Sequence, residues 1–265
     1  MVFVRHAAAV FALTLLASPA LRAGTLSGAT IHICDDAAEW PPYTFYKRSD
    51  GQATRELTGF SVDVVTAIFQ KAGIDARIEL LPWARCQKEV MDGTGYQLAL
   101  NASYNENRAR AYHLSRPYYR TTNYYFYSKK VHPSGLRIDH LSDLRHYKVC
   151  GVFGYNYETY GLPAGSIDQG AYDFAALVAK IHAGRCDLFV EKYEVMAGFT
   201  VIGQPFLTDS NLGHEAVPGM ASTEFYMMVS RHAAHAEELL KTINDGLVEL
   251  EASGQLGRLA KKYLP

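Results

Sequence analysis

Tyr96-Gln-Leu-Ala-Leu100, running directly into Asn101-Ala-Ser-Tyr-Asn-Glu-Asn-Arg108, is the stretch on which the fold turns. The apolar first half reads as a short strand, and the polar half begins where that strand ends. Ligands of open α/β sheets sit outside the carboxyl ends of their strands, which is where Asn101, Ser103 and Arg108 are expected. An arginine one turn further on can reach back over the strand end. Its planar fork of donors matches a carboxylate, and a serine hydroxyl beside it adds another donor. By residue type alone such an arginine is an ordinary surface ion pair, so its flanks have to decide.

Outward from this stretch, strands and helices alternate. Ile31–Cys34 is strand-like, and Ser61 is placed to cap a helix carrying Val64, Val65, Ile68 and Phe69, ended by Gly73. Ala76–Leu81 reads as a strand and Ala84–Met91 as a short helix. Asn123–Ser128 is a long aromatic strand with no turn signal. A second series follows: strands Tyr147–Val152 and Cys186–Val190 around a helix at Phe174–His182, then strand Phe225–Ser230. Two terminal helices carry Leu239, Ile243 and Leu247, then Leu256, Leu259 and Tyr263, divided by Ser253-Gly254. Such alternation predicts an α/β protein with mostly parallel sheets covered by helices.

The amino terminus predicts export. Arg5 and His6 precede an apolar run from Ala7 to Ala17, with small residues around Pro19–Ala23, the pattern of a secretory signal peptide. The run is too short for a membrane span, and no cysteine stands just past it to carry a lipid, so no stable membrane anchor is expected. Cleavage after Ala23 leaves 242 of the 265 residues and, by removing Arg5 and Arg22, takes the net charge from −1 to −3. That near balance argues against nucleic acid or an anionic membrane as main partner. Charged residues at 20% and hydrophobic ones at 48% are ordinary for a globular chain. There is no repeat or low-complexity tract.

Several pieces, in order, resemble the extracytoplasmic solute-binding proteins of family 3. They are Trp40-Pro-Pro-Tyr43, Gly59-Phe-Ser-Val-Asp-Val64, Trp83–Val90, Ser103–Arg108, Ser115–Tyr119, Gly184-Arg-Cys-Asp187 and Leu247–Tyr263. The resemblance implies a two-lobed, type II periplasmic-binding-protein-like fold with two crossover strands. Residues 24–122 would form the first part of lobe one and 123–222 lobe two. Residues 223–265 would return and pack helices on lobe one. It further implies a periplasmic monomer that captures a small polar, carboxylate-bearing solute such as an amino acid, closes by a hinge and delivers it to an ABC permease. Sensing for a chemoreceptor or sensor kinase is the alternative in signalling, and a dehydratase-like enzyme the alternative in catalysis, since one fold hosts many functions.

Four cysteines in an exported chain invite pairing. With Cys34 and Cys86 in the implied lobe one and Cys150 and Cys186 in lobe two, pairing within lobes is expected, because bonds across lobes would lock the hinge. Reduced thiols remain the alternative. No cysteine or histidine spacing suits zinc, and neither a metal nor another cofactor is expected.

Carried over position by position, the resemblance places Trp40 and Tyr43 as one aromatic wall and Trp83 as the other, with Arg85 two residues on facing either cleft or solvent. Arg108 and Ser103 correspond to the carboxylate grip, with Asn101 beside them. In lobe two the family has Gly-Thr/Ser-Thr where this chain has Gly154-Tyr155-Asn156-Tyr157, so Tyr155 and Asn156 replace the hydroxyls. The acid that commonly grips an α-ammonium falls at Lys192, with Glu191 beside it, so a solute with an extra acidic group, or a larger aromatic or peptide-like one, fits as well as a plain α-amino acid. If Lys192 faces the cleft, Lys192→Asp should favour simple amino acids; if Glu191 faces inward, Glu191 is the residue that matters. No nucleophile elbow, HExxH pair, P-loop or dinucleotide loop is present, and no enzyme is expected. Glu191 and Glu194 are the only candidate general acids.

Overall fold

The computed structural model describes residues 26–163 and 165–264, so the expected leader lies outside the described residues. Its first half contains β1 (Thr30–Asp36), the hairpin β2 (Phe45–Ser49) and β3 (Gln52–Thr58), helix α1 (Phe60–Ala72), β4 (Asp75–Leu81), α2 (Trp83–Asp92), β5 (Leu98–Ser103), α3 (Glu106–Ala111), β6 (Tyr112–Leu114) and β7 (Tyr119–Thr121). Then come β8 (Asn123–Ser128), β9 (Val149–Val152), β10 (Asp168–Ala171), α4 (Phe174–His182), β11 (Leu188–Lys192), α5 (Tyr193–Gly198) and β12 (Leu212–Ala216). Strand β13 (Thr223–Ser230) and helices α6 (Ala236–Ala252) and α7 (Gln255–Tyr263) complete the chain.

Two sheets form two lobes. The first has the order β4-β1-β5-β13-β6, with β7 also on β13; the second has the order β10-β9-β11-β8-β12. Each is parallel over three strands and antiparallel beyond them. The antiparallel members include the strands that cross between lobes: β8 leaves directly after β7, and β13 comes back from β12 to pair with β5. A strand arriving from the other lobe enters against the direction set by the βαβ units, so the sheets are mixed.

Helix α1 buries Val64, Val65, Ile68 and Phe69 at helical spacing and ends at Gly73 in the left-handed region. Its start differs from the expectation. Gly59, not Ser61, precedes the helix, with φ 124°, and a Cβ there would lie 2.2 Å from the Tyr43 carbonyl oxygen. Ser61 sits inside the first turn, where its hydroxyl donates 2.6 Å to Asn101 Oδ1. Strand β5 also runs further than its apolar residues suggest, through Ser103, and all six of its residues are buried. Asn101 adopts φ 55° where the pairing with β13 shifts register. Asparagine tolerates that conformation, and the resulting bulge turns its side chain into the core.

Both within-lobe disulfides are formed, Cys34–Cys86 and Cys150–Cys186, with Cα separations of 5.7 and 5.8 Å. Cys186 lies just before β11 instead of within it, because that strand begins at Leu188. The first bond ties the end of β1 to α2, and so fixes two walls of the cleft relative to each other.

Candidate functional site

Between the lobes lies a narrow cleft of about 40 Å³, lined by residues of both. Arg108 is its most informative member. Asn105 caps α3 by accepting from the Arg108 backbone N–H at 2.7 Å, which holds the arginine in the first helical turn beside the end of β5. The guanidinium turns back and donates to Ser103 O at 2.9 Å and Ser103 Oγ at 3.0 Å, while Nε and Nη2 point at Gln87 Oε1. It lies 5.4 Å from the ring centre of Trp83. Only 6% of Arg108 is exposed, and burial lowers its pKa to about 10. Among the described residues no carboxylate forms an ion pair with it.

Trp83, Asn101 and Ser103 line the same cleft from lobe one, as does Trp40. Asn101 organises the floor. Its amide donates to Asp35 Oδ2 and to Thr44 Oγ1, while the hydroxyls of Ser61, Tyr118 and Tyr119 crowd its carbonyl oxygen at 2.6 to 2.9 Å. Tyr119 in turn accepts from the Trp40 indole at 3.1 Å, so the aromatic wall is hydrogen-bonded to the floor.

Lobe two closes the cleft through the residues that depart from the resembled pattern. Tyr155 donates to Asp36 Oδ2 at 2.6 Å and meets the Trp40 ring edge-on at 5.5 Å. Asn156 donates to Ser103 Oγ at 3.2 Å and to Tyr104 O at 2.9 Å. Both are contacts between lobes, so the molecule is in a closed arrangement. Glu191 and Lys192 both line the cleft, which the sequence had offered as alternatives. Lys192 stands at the strand end and spends its ammonium on Asn123 Oδ1 (2.6 Å), Tyr160 Oη (2.9 Å) and Thr223 Oγ1 (3.4 Å). Asn123 and Thr223 begin the two crossing strands, so this cation ties them together. Burial lowers the Lys192 pKa and raises that of Glu191.

Two expected site residues lie elsewhere. Arg85 is exposed and pairs with Glu89 at 3.3 Å; it stands about 200° round the helix from Trp83, while Trp83, Cys86 and Val90 form the buried face of α2. Tyr43 is fully buried behind the wall, its ring stacked on Tyr119 at 3.9 Å, and does not line the cleft. Glu194, a candidate acid, is committed to the Thr122 backbone N–H and hydroxyl. Conversely, Asp35, Asp36, Tyr157, Tyr160 and Phe225 line the cleft without having been singled out. The two aspartates had a signal, since they end the apolar strand begun at Ile31; the tyrosines and Phe225 had none.

Asp35 is 1% exposed, and burial pushes its pKa to about 7 against the hydrogen bonds that favour its anion. A folded-state pKa above the unfolded value stabilises below the unfolded value, and that contribution is lost as pH rises through about 7. Asp35→Asn, which imitates the protonated acid, should therefore gain stability relative to wild type between pH 4.5 and pH 8, on the order of 1–3 kcal/mol. Urea unfolding of both proteins at the two pH values measures this, and a pH-independent difference would refute it.

Closure also depends on Gly198 of α5. Its φ is an ordinary −60°, but a Cβ there would lie 2.5 Å from the Pro41 carbonyl group and 2.6 Å from Pro42 Cδ of the opposite lobe. Gly198→Ala should fold normally yet hold the lobes apart, weakening ligand binding by roughly tenfold through the smaller closed population. Small-angle scattering and titration calorimetry would read this, and unchanged affinity would show that the contact slides aside.

Residues 31–265 match the family described as bacterial extracellular solute-binding proteins, family 3, and the chain belongs to that family. The probable amino-acid-binding protein YxeM of Bacillus subtilis (strain 168) is 24% identical over 239 residues, covering 83% of this chain and 80% of that protein. Among solved structures, an amino acid ABC transporter substrate-binding protein, AbpA from Streptococcus pneumoniae bound to L-arginine, superposes with a TM-score of 0.70 at 17% identity, covering 88% of this chain and 93% of that one. A histidine kinase sensor domain with similarity to periplasmic binding proteins has a TM-score of 0.69 at 22% identity, over 88% and 95% of the two chains. These structural likenesses show the shared two-lobed fold. The chain is a solute-binding protein.

Proposed function

We propose that this protein captures a small carboxylate-bearing solute, an amino acid or a derivative, outside the cytoplasm and presents it to an ABC permease as a monomer. The observation that carries the reading is Arg108, a buried guanidinium at the cleft whose hydrogen bonds all go to neutral oxygens. A desolvated cation without a counter-charge is costly, and a bound carboxylate supplies that charge in the bidentate geometry arginine favours. Ser103 and Asn156, one from each lobe, stand beside it, so a carboxylate placed there joins the lobes. The aromatic walls Trp40, Trp83 and Tyr155 suit an aliphatic or cationic body.

A thermal-shift screen of the exported protein against amino acids, dicarboxylates, amines and short peptides tests this, because a ligand of the native state raises its apparent stability. Carboxylate-bearing solutes should be the stabilising ones; stabilisation by amines alone would overturn the reading. A permease gene beside this one would support uptake, and a lone sensor-kinase neighbour would support signalling.

A further inference from the structure

We infer that the groove beside the cleft, between α3 of lobe one and β10 of lobe two, is a second compartment of the site. It takes the outer part of a solute longer than one amino acid: a carboxylate whose chain continues through an amide bond, as in a dipeptide. The inference rests on the carboxylate reading of Arg108 and adds what lies beyond that carboxylate.

Size carries the first half of the argument. The closed cleft has only about 40 Å³, and one water needs about 10–15 Å³ on that scale. A carboxylate and the atoms next to it fill such a space; a whole amino acid overfills it. Immediately outside lies a groove of about 610 Å³, within the range of small-molecule sites. Arg108, Tyr155, Asn156 and Tyr157 line both spaces, so the two are continuous at the guanidinium. Another groove of about 600 Å³, around Tyr104 and Thr223, shares no lining residue with the cleft. A solute held by its carboxylate at Arg108 therefore extends towards α3 and β10.

Chemistry carries the second half. Gln87 stands at the junction. Its Oε1 faces Arg108 Nε and Nη2 at 3.4 and 3.3 Å, and its Nε2 donates to Gly154 O of the opposite lobe at 3.4 Å. All three contacts are long for hydrogen bonds. A ligand amide in the same place offers a carbonyl to the guanidinium and an N–H to Gly154 O, the partners that Gln87 now holds loosely. Further out, Asn105, Asn107 and Gln169 bring more side-chain amides, and Leu162, Pro163 and Ile167 supply an apolar strip. Glu158 is the only charged side chain lining the groove besides Arg108 among the described residues. Amides beside an apolar strip suit a peptide unit and its side chain. A second carboxylate there would face Glu158.

The test is titration calorimetry with defined probes: the common L-amino acids, glycyl dipeptides ending in each of them, and straight-chain carboxylates of dipeptide length that lack the amide. Wild type should bind at least one dipeptide about tenfold or more tightly than its terminal amino acid alone and than the amide-free carboxylate. Ile167→Ala combined with Gln169→Ala, both on the groove and outside the cleft, should weaken that dipeptide about fivefold or more while moving the single amino acid less than about twofold. Asn107→Ala, at an exposed position of α3, should likewise weaken the dipeptide alone. A single amino acid bound as tightly as any dipeptide, or a dipeptide preference that both variants leave intact, would overturn the second compartment and leave the Arg108 reading standing. Failure of every carboxylate to bind at 1 mM would overturn both.

Discussion

Arg108→Ala should weaken binding of the carboxylate ligand by roughly 30-fold or more, equivalent to about 2–5 kcal/mol, while moving the thermal unfolding of the empty protein little. The asymmetry follows from what the guanidinium does in each state. In the empty cleft it is a buried cation held by Ser103 and Gln87 oxygens, so its removal loses hydrogen bonds but also relieves a desolvated charge. With ligand bound, its removal strands a buried carboxylate. Arg108→Lys keeps the charge but loses the planar fork, and its affinity should fall between the two. Titration calorimetry beside thermal unfolding separates the effects. Unchanged affinity, or collapse of the empty protein, would make Arg108 a structural residue.

Lys192→Asp should destabilise the empty protein by roughly 3–5 kcal/mol. From sequence the substitution reads as a change of specificity, restoring the acid that the resembled pattern has there. The structure gives it a different outcome. It would place a second carboxylate beside buried Glu191, and would face Asn123 Oδ1 with an acceptor where the ammonium now donates. The tie between the starts of β8 and β13 would also be cut. Lys192→Met should cost less, since Asn123 Oδ1 still accepts from Thr223 at 2.9 Å and from Tyr160 at 3.1 Å. Urea unfolding of the two variants checks the order. A stable Lys192→Asp protein with improved binding of simple amino acids would restore the specificity reading.

Much of the framework is legible in the chain because it depends on local periodicity. Helix α4 occupies Phe174–His182 and strand β8 occupies Asn123–Ser128, the spans their apolar spacing and lack of turn residues predict. Arg108 and Ser103 were legible as candidates because they flank an apolar strand end, and Trp40 and Trp83 because of the motifs around them. Arg85 and Tyr43 were misplaced because spacing from a tryptophan says nothing about which helix face or which side of a wall a side chain takes.

The sequence by itself determined the alternating α/β framework, through hydrophobic periods that each segment carries without reference to the rest. It also held the family resemblance, in motifs that survive as short runs. Only the tertiary structure decided what the cleft contains. Asp35 meets Asn101, Asp36 meets Tyr155, and Glu191 lines the same cleft, across sequence separations that no local pattern records. The roles of adjacent Glu191 and Lys192 diverge for the same reason. One keeps a carboxylate oxygen without a partner among the described residues while the other is consumed at the crossing strands, because at a strand end the surrounding chain sets where each polar atom finds its partner.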